Sequence, residues 1–216
     1  KNKVMTEKKL FLLDAYALIF RSYYAFIKNP RITSKGMNTS AIFGFLLTLE
    51  EVLQKPKPSH IAVVFDTPEP TFRHEMFKDY KATRDETPED IRAAVPYVKR
   101  LLEAYNIPII TCPGYEADDI IGTMAKKAAE KGFITYMMTP DKDFAQLVSD
   151  KVYMFKPSRG GSESVKWGVE DIRREFEIER PEQVIDIMAL TGDSVDNIPG
   201  APGIGPKTAR KLISEY

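Results

Sequence analysis

The chain has 216 residues, 43% hydrophobic and 29% charged, with basic and acidic side chains balanced at 31 each. That composition fits a globular protein with one sizeable core and a small appended lobe, and it excludes disordered and fibrous classes. No apolar run approaches the ~20 residues that span a bilayer. The first ten residues are Lys-rich and carry no signal-peptide pattern. The one cysteine, Cys112, allows neither an internal disulfide nor a Cys-based metal site, and a reducing cytoplasm fits.

In chain order, residues 10–14 read as a buried strand, followed by helical spacing over 15–26 and 39–53. A second strand, rich in β-branched residues, covers 60–66. The stretch 72–84 is dense in Arg, Lys and aromatics. On a helix, Arg73, Phe77, Tyr80 and Arg84 fall along one stripe, with Lys81 beside it. Thr87 as N-cap, Pro88 as the first helical residue, and Glu89 and Asp90 behind them open a helix that runs to Tyr105. A third strand over 107–112 turns at Pro113 and Gly114 into a helix over 116–131. Strands over 134–139 and 152–155 complete the series. Strands alternating with helices imply an α/β fold: a mostly parallel sheet with helices on both faces and right-handed crossovers. After Trp167 the pattern becomes helical, over 169–176 and 181–191. A turn-dense stretch, 197–205, then precedes a helix opening at Pro206. Two units are expected, an α/β core over 1–166 and a helical module over 167–216. The last helix reaches Tyr216 without a Gly or Asn cap, as in a chain that stops short of a natural boundary.

Ligands of an open parallel sheet bind beyond the carboxyl ends of its strands. Asp14 and Asp66 close the first two strands. Glu116, Asp118 and Asp119 open the helix after the third, and Asp141 and Asp143 follow the fourth. Asp193 and Asp196 lie in the Gly-rich loop at a helix end. Singly, each reads as a cap or a helix-dipole partner. Together, nine carboxylates at one edge repel unless a cation cancels the charge. An all-oxygen donor set suits Mg²⁺ or Mn²⁺, and two such ions about 3.5–4 Å apart can clamp a phosphodiester. The two histidines do not compete, His60 standing at a strand start and His74 in a charged loop. With the nine acids set aside, the remaining surface carries an excess of nine positive charges, so the neutral total hides a basic surface around an acidic pit.

Cationic and aromatic side chains in 72–84 suit phosphate neutralisation and base stacking. Gly203 and Gly205 let a backbone approach a phosphate closely, and the helix that follows points free amides at it. Lys207, Arg210 and Lys211 add charge, as for a duplex held by its backbone without sequence preference. Met137, Met138, Trp167 and Cys112 read as packing residues.

The words Leu13-Asp14 with Phe20-Arg21, Val64-Phe65-Asp66, Phe72-Arg73-His74-Glu75, Tyr80-Lys81 with Arg84, Tyr115-Glu116-Ala117-Asp118-Asp119, Thr139 with Asp141-Lys142-Asp143, and the loop 192–200 occur in this order. Together they resemble the 5′-nuclease family of flap endonucleases and phage exonucleases, most nearly the 5′–3′ exonuclease domains that open bacterial DNA polymerases I. The likeness runs from Leu10 to Tyr216. It implies a PIN-like fold, a helical arch over about 70–105 that passes single-stranded 5′ DNA, and a C-terminal helix-hairpin-helix module.

The resemblance also implies a division of labour. Asp14, Asp66, Glu116 and Asp118, directly or through water and with Asp119 beside them, would hold one ion, and Asp141, Asp143, Asp193 and Asp196 would form the second group. One ion would activate the attacking water and the other would stabilise the leaving 3′ oxygen. Lys81, Arg84 and Arg21 would meet the scissile phosphate. Phe20, where many relatives have Tyr, would stack but not hydrogen-bond. Arg73, Phe77, Tyr80, Gly203, Gly205, Lys207, Arg210 and Lys211 would contact DNA, with K⁺ at the hairpin. The implied substrates are 5′ flaps, nicked or branched duplexes and RNA primer–DNA hybrids. The implied setting is a monomer at the bacterial nucleoid, part of a polymerase chain, in primer removal and repair. A PIN-type ribonuclease and a non-catalytic module for branched DNA stand as alternatives. The arch and hairpin favour DNA junctions over RNA, and the complete acidic set favours catalysis.

Overall fold

The computed structural model describes residues 7–157 and 164–216; the first six residues of the Lys-rich start lie outside them. Strand β1 (Lys9–Asp14) leads through α1 (Ala15–Ala25) and α2 (Ser40–Gln54) to β2 (His60–Val64). A short helix α3 (Phe72–Met76) and a long helix α4 (Glu89–Ala104) then lead to β3 (Ile109–Ile110). Helix α5 (Ala117–Glu130) returns the chain to β4 (Ile134–Met138). A 3₁₀ helix (Lys142–Leu147) precedes β5 (Val152–Lys156) and β6 (Val165–Trp167).

These six strands form one sheet in the order β3-β2-β1-β4-β5-β6. All neighbours are parallel except the edge pair β5 and β6. Strand β6 was not foreseen, and the third strand shrinks to two residues. Its Pro108 offers no N–H to the ladder, though its carbonyl accepts from Val63 N at 3.0 Å.

Both faces of the sheet are covered, so its central strands are apolar at successive positions rather than alternately. Phe11 and Leu13 point into one core with Leu18, Phe45, Leu49 and Val98. Leu12 and Val64 point into the other with Ile121, Phe144, Ile172 and Val184. Met137 and Met138 are buried in opposite cores, as a packing role requires. Each fully buried side chain of this size contributes roughly 1.5–3 kcal/mol. The register sets Leu13 against Val63 and against Met138. A slip of one residue would exchange the cores and turn the terminal aspartate away from its edge.

Helix α4 buries Ile91, Ala94, Val98 and Leu102, a stripe at helical spacing, against the first core. It is therefore a sheet-covering helix, and the arch-like stretch narrows to about residues 70–88. Its N-cap is Pro88 and its first residue Glu89, one position later than expected.

Helix α6 (Val169–Phe176), a 3₁₀ turn (Pro181–Gln183) and α7 (Val184–Thr191) follow. A two-stranded hairpin of β7 (Gly192–Asp193) and β8 (Ile198–Pro199) leads to α8 (Pro206–Glu215). Among the described residues no helix is long and apolar enough to cross a membrane.

Candidate metal centre and nucleic-acid interface

The carboxylates reach one edge because the backbone grips each of them locally. Asp14, buried at the end of β1, accepts from Ala17 N at 3.0 Å through Oδ1 and caps α1. Its Oδ2 takes the Thr139 hydroxyl at 3.2 Å. Asp66 accepts from Ala117 N at 2.8 Å and so holds the start of α5. Asp141 accepts from Asp143 N at 2.9 Å, and Asp193 from Val195 N at 2.8 Å. Each of Asp66, Asp141 and Asp193 is thus anchored to the backbone through Oδ1, and Asp14 is held through both oxygens.

Two adjoining cavities open there. The larger, about 1230 Å³, is lined by Asp14, Asp66, Glu116, Asp118 and Asp141, with Phe20 on its wall. The smaller, about 410 Å³, is lined by Asp118, Asp141, Asp143, Asp193 and Asp196. Lys81 and Arg84 border both. Asp118 and Asp141 stand on the common wall, so the two groups share members instead of separating cleanly.

Charge crowding follows the same partition. Burial, then Asp14, Asp141, Asp66 and Glu116, push the Asp118 carboxyl up to about 8. Burial, then Asp141, Asp193 and Asp196, push Asp143 up to about 7. Asp14 is raised to about 6 by burial, with help from Asp66 and Asp141, against the Ala17 hydrogen bond that lowers it. The donors are all oxygen and mutually repulsive, which fits a hard divalent cation. Among the described residues no three such side chains close to metal-ligand geometry by themselves.

The cationic stretch departs from expectation. Helix α3 ends at Met76, Phe77 is extended, and Lys81 adopts a left-handed φ of 59°. The helical stripe of Arg73, Phe77, Tyr80 and Arg84 does not form, and His74 lies in α3, where its ring accepts from Thr71 N at 3.2 Å. The loop instead turns its cations onto the acids. Arg73 grips both oxygens of Asp119 at 2.8 Å. Lys81 Nζ meets Glu116 at 2.7 Å, and Arg84 pairs with Asp196. Tyr80 is buried, and its hydroxyl lies 3.1 Å from Glu116 and 3.0 Å from Asp196. Burial and those two carboxylates raise its pKa far above the usual phenol value. A buried ring offers no face for base stacking in this conformation.

Other expected residues are also placed differently. Asp119 lines neither cavity, since its oxygens are held by Arg73 and by Glu116 N at 3.0 Å. Burial pushes the Asp119 carboxyl up, but the Arg73 hydrogen bonds, the Glu116 N–H and the charges of Arg73 and Lys81 together hold it below its ordinary value. Arg21 donates to the Pro157 carbonyl at 3.2 Å and lines neither cavity. Phe77 is exposed but outside both. Cys112 is exposed, not packed, while Trp167 packs against the second core under Lys156.

At the C-terminal end, Gly203 takes a left-handed φ of 78°. Gly205 is extended (φ −94°) and serves as N-cap of α8, so any residue could adopt its backbone. A Cβ at either position meets nothing within 4 Å, which leaves this face open to an approaching backbone. Lys207 is exposed, Arg210 is paired with Glu177 at 2.9 Å, and Lys211 lies 3.7 Å from Glu215.

Some contributing residues escaped the sequence reading. A Cβ on Gly192 would collide with Gly200 N and Ile198 O, and one on Gly200 with the Thr191 carbonyl. This close crossing fixes the loop that carries Asp193 and Asp196. The paired glycines flanking that loop were the available signal. Thr139, fully buried, ties Asp14 to Asp141 by accepting from Asp141 N at 3.2 Å.

The family models for "5′-3′ exonuclease, N-terminal resolvase-like domain" and "5′-3′ exonuclease, C-terminal SAM fold" match residues 9–177 and 179–216. The chain belongs to the 5′–3′ exonuclease family. It is 41% identical to DNA polymerase I of Bacillus subtilis, over 98% of this chain but 24% of that protein. It is 40% identical to a 5′-3′ exonuclease of Aquifex aeolicus, over 97% of this chain and 70% of that one. It thus spans about a quarter of the polymerase relative and most of the free-standing exonuclease. A T5 5′-exonuclease structure with bound zinc superposes with a TM-score of 0.77 at 25% identity, covering 97% of this chain and 76% of that one. The fold is that of this nuclease, a mostly parallel PIN-like sheet with an appended SAM-like module.

Proposed function

We propose that this chain is a divalent-metal-dependent 5′-nuclease that hydrolyses DNA phosphodiesters near a free 5′ end, by exonucleolytic and flap cleavage, leaving 5′-phosphate and 3′-hydroxyl products. One observation carries the reading: two carboxylate cavities share Asp118 and Asp141, with Lys81 and Arg84 on their common rim. The metal-bound T5 relative and the Aquifex aeolicus exonuclease support it.

Asp14, Asp66, Glu116, Asp118 and Asp141 would hold a cation in the larger cavity. Asp118, Asp141, Asp143, Asp193 and Asp196 would hold one in the smaller, with Asp119 left to Arg73. Two Mg²⁺ or Mn²⁺ ions would supply Lewis acidity and a bound water of lowered pKa. The chain's own residues do the rest. Lys81 and Arg84, which rest on Glu116 and Asp196, would turn from those carboxylates to the phosphate being cut. Phe20 offers a partly exposed ring on the cavity wall for the terminal base. Gly203, Gly205 and Lys207 receive the duplex backbone, with carbonyls at that turn available to K⁺.

We assign the chemistry to residues 1–166 and duplex holding to 167–216, the latter also lending Asp193 and Asp196. A monomer at the bacterial nucleoid, attached to a polymerase and acting on nicked duplexes and RNA primer–DNA hybrids, fits the polymerase relatives. The test is cleavage of an end-labelled 5′ flap in Mg²⁺ beside an equal concentration of single-stranded RNA. Cutting of the flap at its base supports the reading. Cutting of RNA alone favours a ribonuclease, and binding of the flap without any cutting favours a non-catalytic module.

A further inference from the structure

Two hydrogen bonds join the cationic loop to the acidic loop by routes that involve no carboxylate. Lys81 N donates to the Asp196 carbonyl at 2.9 Å. In return, Asn197 Nδ2 donates to the Asp79 carbonyl at 2.7 Å. Both partners sit at left-handed backbone positions, φ 59° at Lys81 and 58° at Asn197. Non-glycine residues pay for that conformation, and asparagine is among those that tolerate it best. The two loops are remote in sequence, so neither can set the other's position through local structure.

We propose that Asn197 is a positioning residue. Its left-handed backbone turns the chain directly after Asp196, and its side-chain amide fastens the 79–84 turn to the acidic loop. The pair of bonds forms a clasp that fixes where the Lys81 and Arg84 side chains start, whether they rest on Glu116 and Asp196 or meet a phosphate. A donor is required: the Asp79 carbonyl can only accept, and the Asn197 amide supplies the N–H. The clasp leaves the ligand set unchanged and acts on the rate through the two cations. Displacements of about 1 Å at a reacting group can cost on the order of 10²-fold in rate.

The test uses the full chain with Asn197→Gly and Asn197→Asp. Glycine keeps the left-handed backbone and loses the amide; aspartate keeps size and backbone preference but cannot donate. The first readout is hydrogen exchange at the Lys81 amide in chelator and in Ca²⁺. Both variants should exchange it about fivefold to tenfold faster, as for one lost hydrogen bond. The second is single-turnover cleavage of a saturating 5′-flap duplex in Mg²⁺, with binding measured in Ca²⁺. The rate should fall about tenfold or more while Kd stays within about threefold. Wild-type exchange in both variants overturns the clasp, and a wild-type rate in both overturns the positioning role. The rate readout rests on the proposed nuclease function and the exchange readout does not. A wild-type chain that fails to cut the flap therefore defeats that function, while exchange still decides the clasp.

Discussion

Asp118 and Asp141 both line each of the two adjoining cavities, and Asp141 is among the charges that hold Asp118 near 8. Each belongs to both compartments, so loss of either should cripple the whole site. Asp118→Ala and Asp141→Ala are each expected to abolish cleavage in Mg²⁺ while the far-ultraviolet spectrum is kept. In chelator, Asp118→Ala should melt at or above the wild-type temperature, because a repelled, half-buried carboxylate has been removed. Near-wild-type turnover by both variants would remove the two-cation assignment.

Acidic crowding gives the metal-free protein an unusual pH response. Asp14, Asp143 and Asp118 sit at about 6, 7 and 8 in the folded chain, whereas unfolded aspartates titrate near 3.9. Between those limits the folded state binds more protons, so stability falls as pH rises. Asp119 and Asp171 are shifted down and act oppositely, but their contribution is lost only as pH falls through the acid range. Urea titrations in chelator should therefore show declining stability from pH 5 to about 8. Millimolar Mg²⁺ should flatten the decline. A rising or level profile without metal would contradict the crowding.

Lys81 and Arg84 border both cavities and are the cations best placed to meet a bound phosphate. Lys81→Ala and Arg84→Ala should lower the single-turnover rate about 10²-fold, by analogy with losing one donor to developing charge. Duplex affinity in Ca²⁺ should change far less. If affinity drops and the rate at saturation is unchanged, the two side chains are electrostatic tethers only.

The C-terminal turn separates backbone strain from ligand approach. Gly203→Ala forces a side chain into a left-handed position and should cost about 1 kcal/mol of stability. Gly205→Val meets open space on an extended backbone. It should leave the melting temperature unchanged yet weaken binding of a nicked duplex by blocking close approach. Lys207→Ala should reduce the salt slope of binding by about 0.9. Unaltered affinity and slope for Gly205→Val and Lys207→Ala would leave this turn a packing element and place the duplex elsewhere.

Much of this was legible in the sequence because hydrophobic runs and terminal aspartates are local signals. The strand ending in Asp14 and the helix opening at Ala117 announce themselves in a few residues each. What escaped depends on contacts far apart in the chain. Strand β6 exists only because β5 offers an edge. The expected stripe over 72–84 failed because Tyr80 and Lys81 gain more from Glu116 and Asp196 than a helix would return. Asp119 falls with the pit by its spacing, but Arg73, 46 residues earlier, and Glu116 N hold its oxygens. Gly192 and Gly200 were visible as glycines, but which backbone each must admit was not.

The region matched to the SAM-like model begins at residue 179, and Asp193 and Asp196 lie inside it. Residues from both recognisable parts therefore line the same acidic cavities. A fragment ending before residue 179 would keep the sheet and the carboxylates of the larger cavity, and would lose Ser194 and Val195 from its lining and Asp193 and Asp196 from the smaller. Under the proposed function, the helical tail would serve the chemistry as much as the holding of DNA.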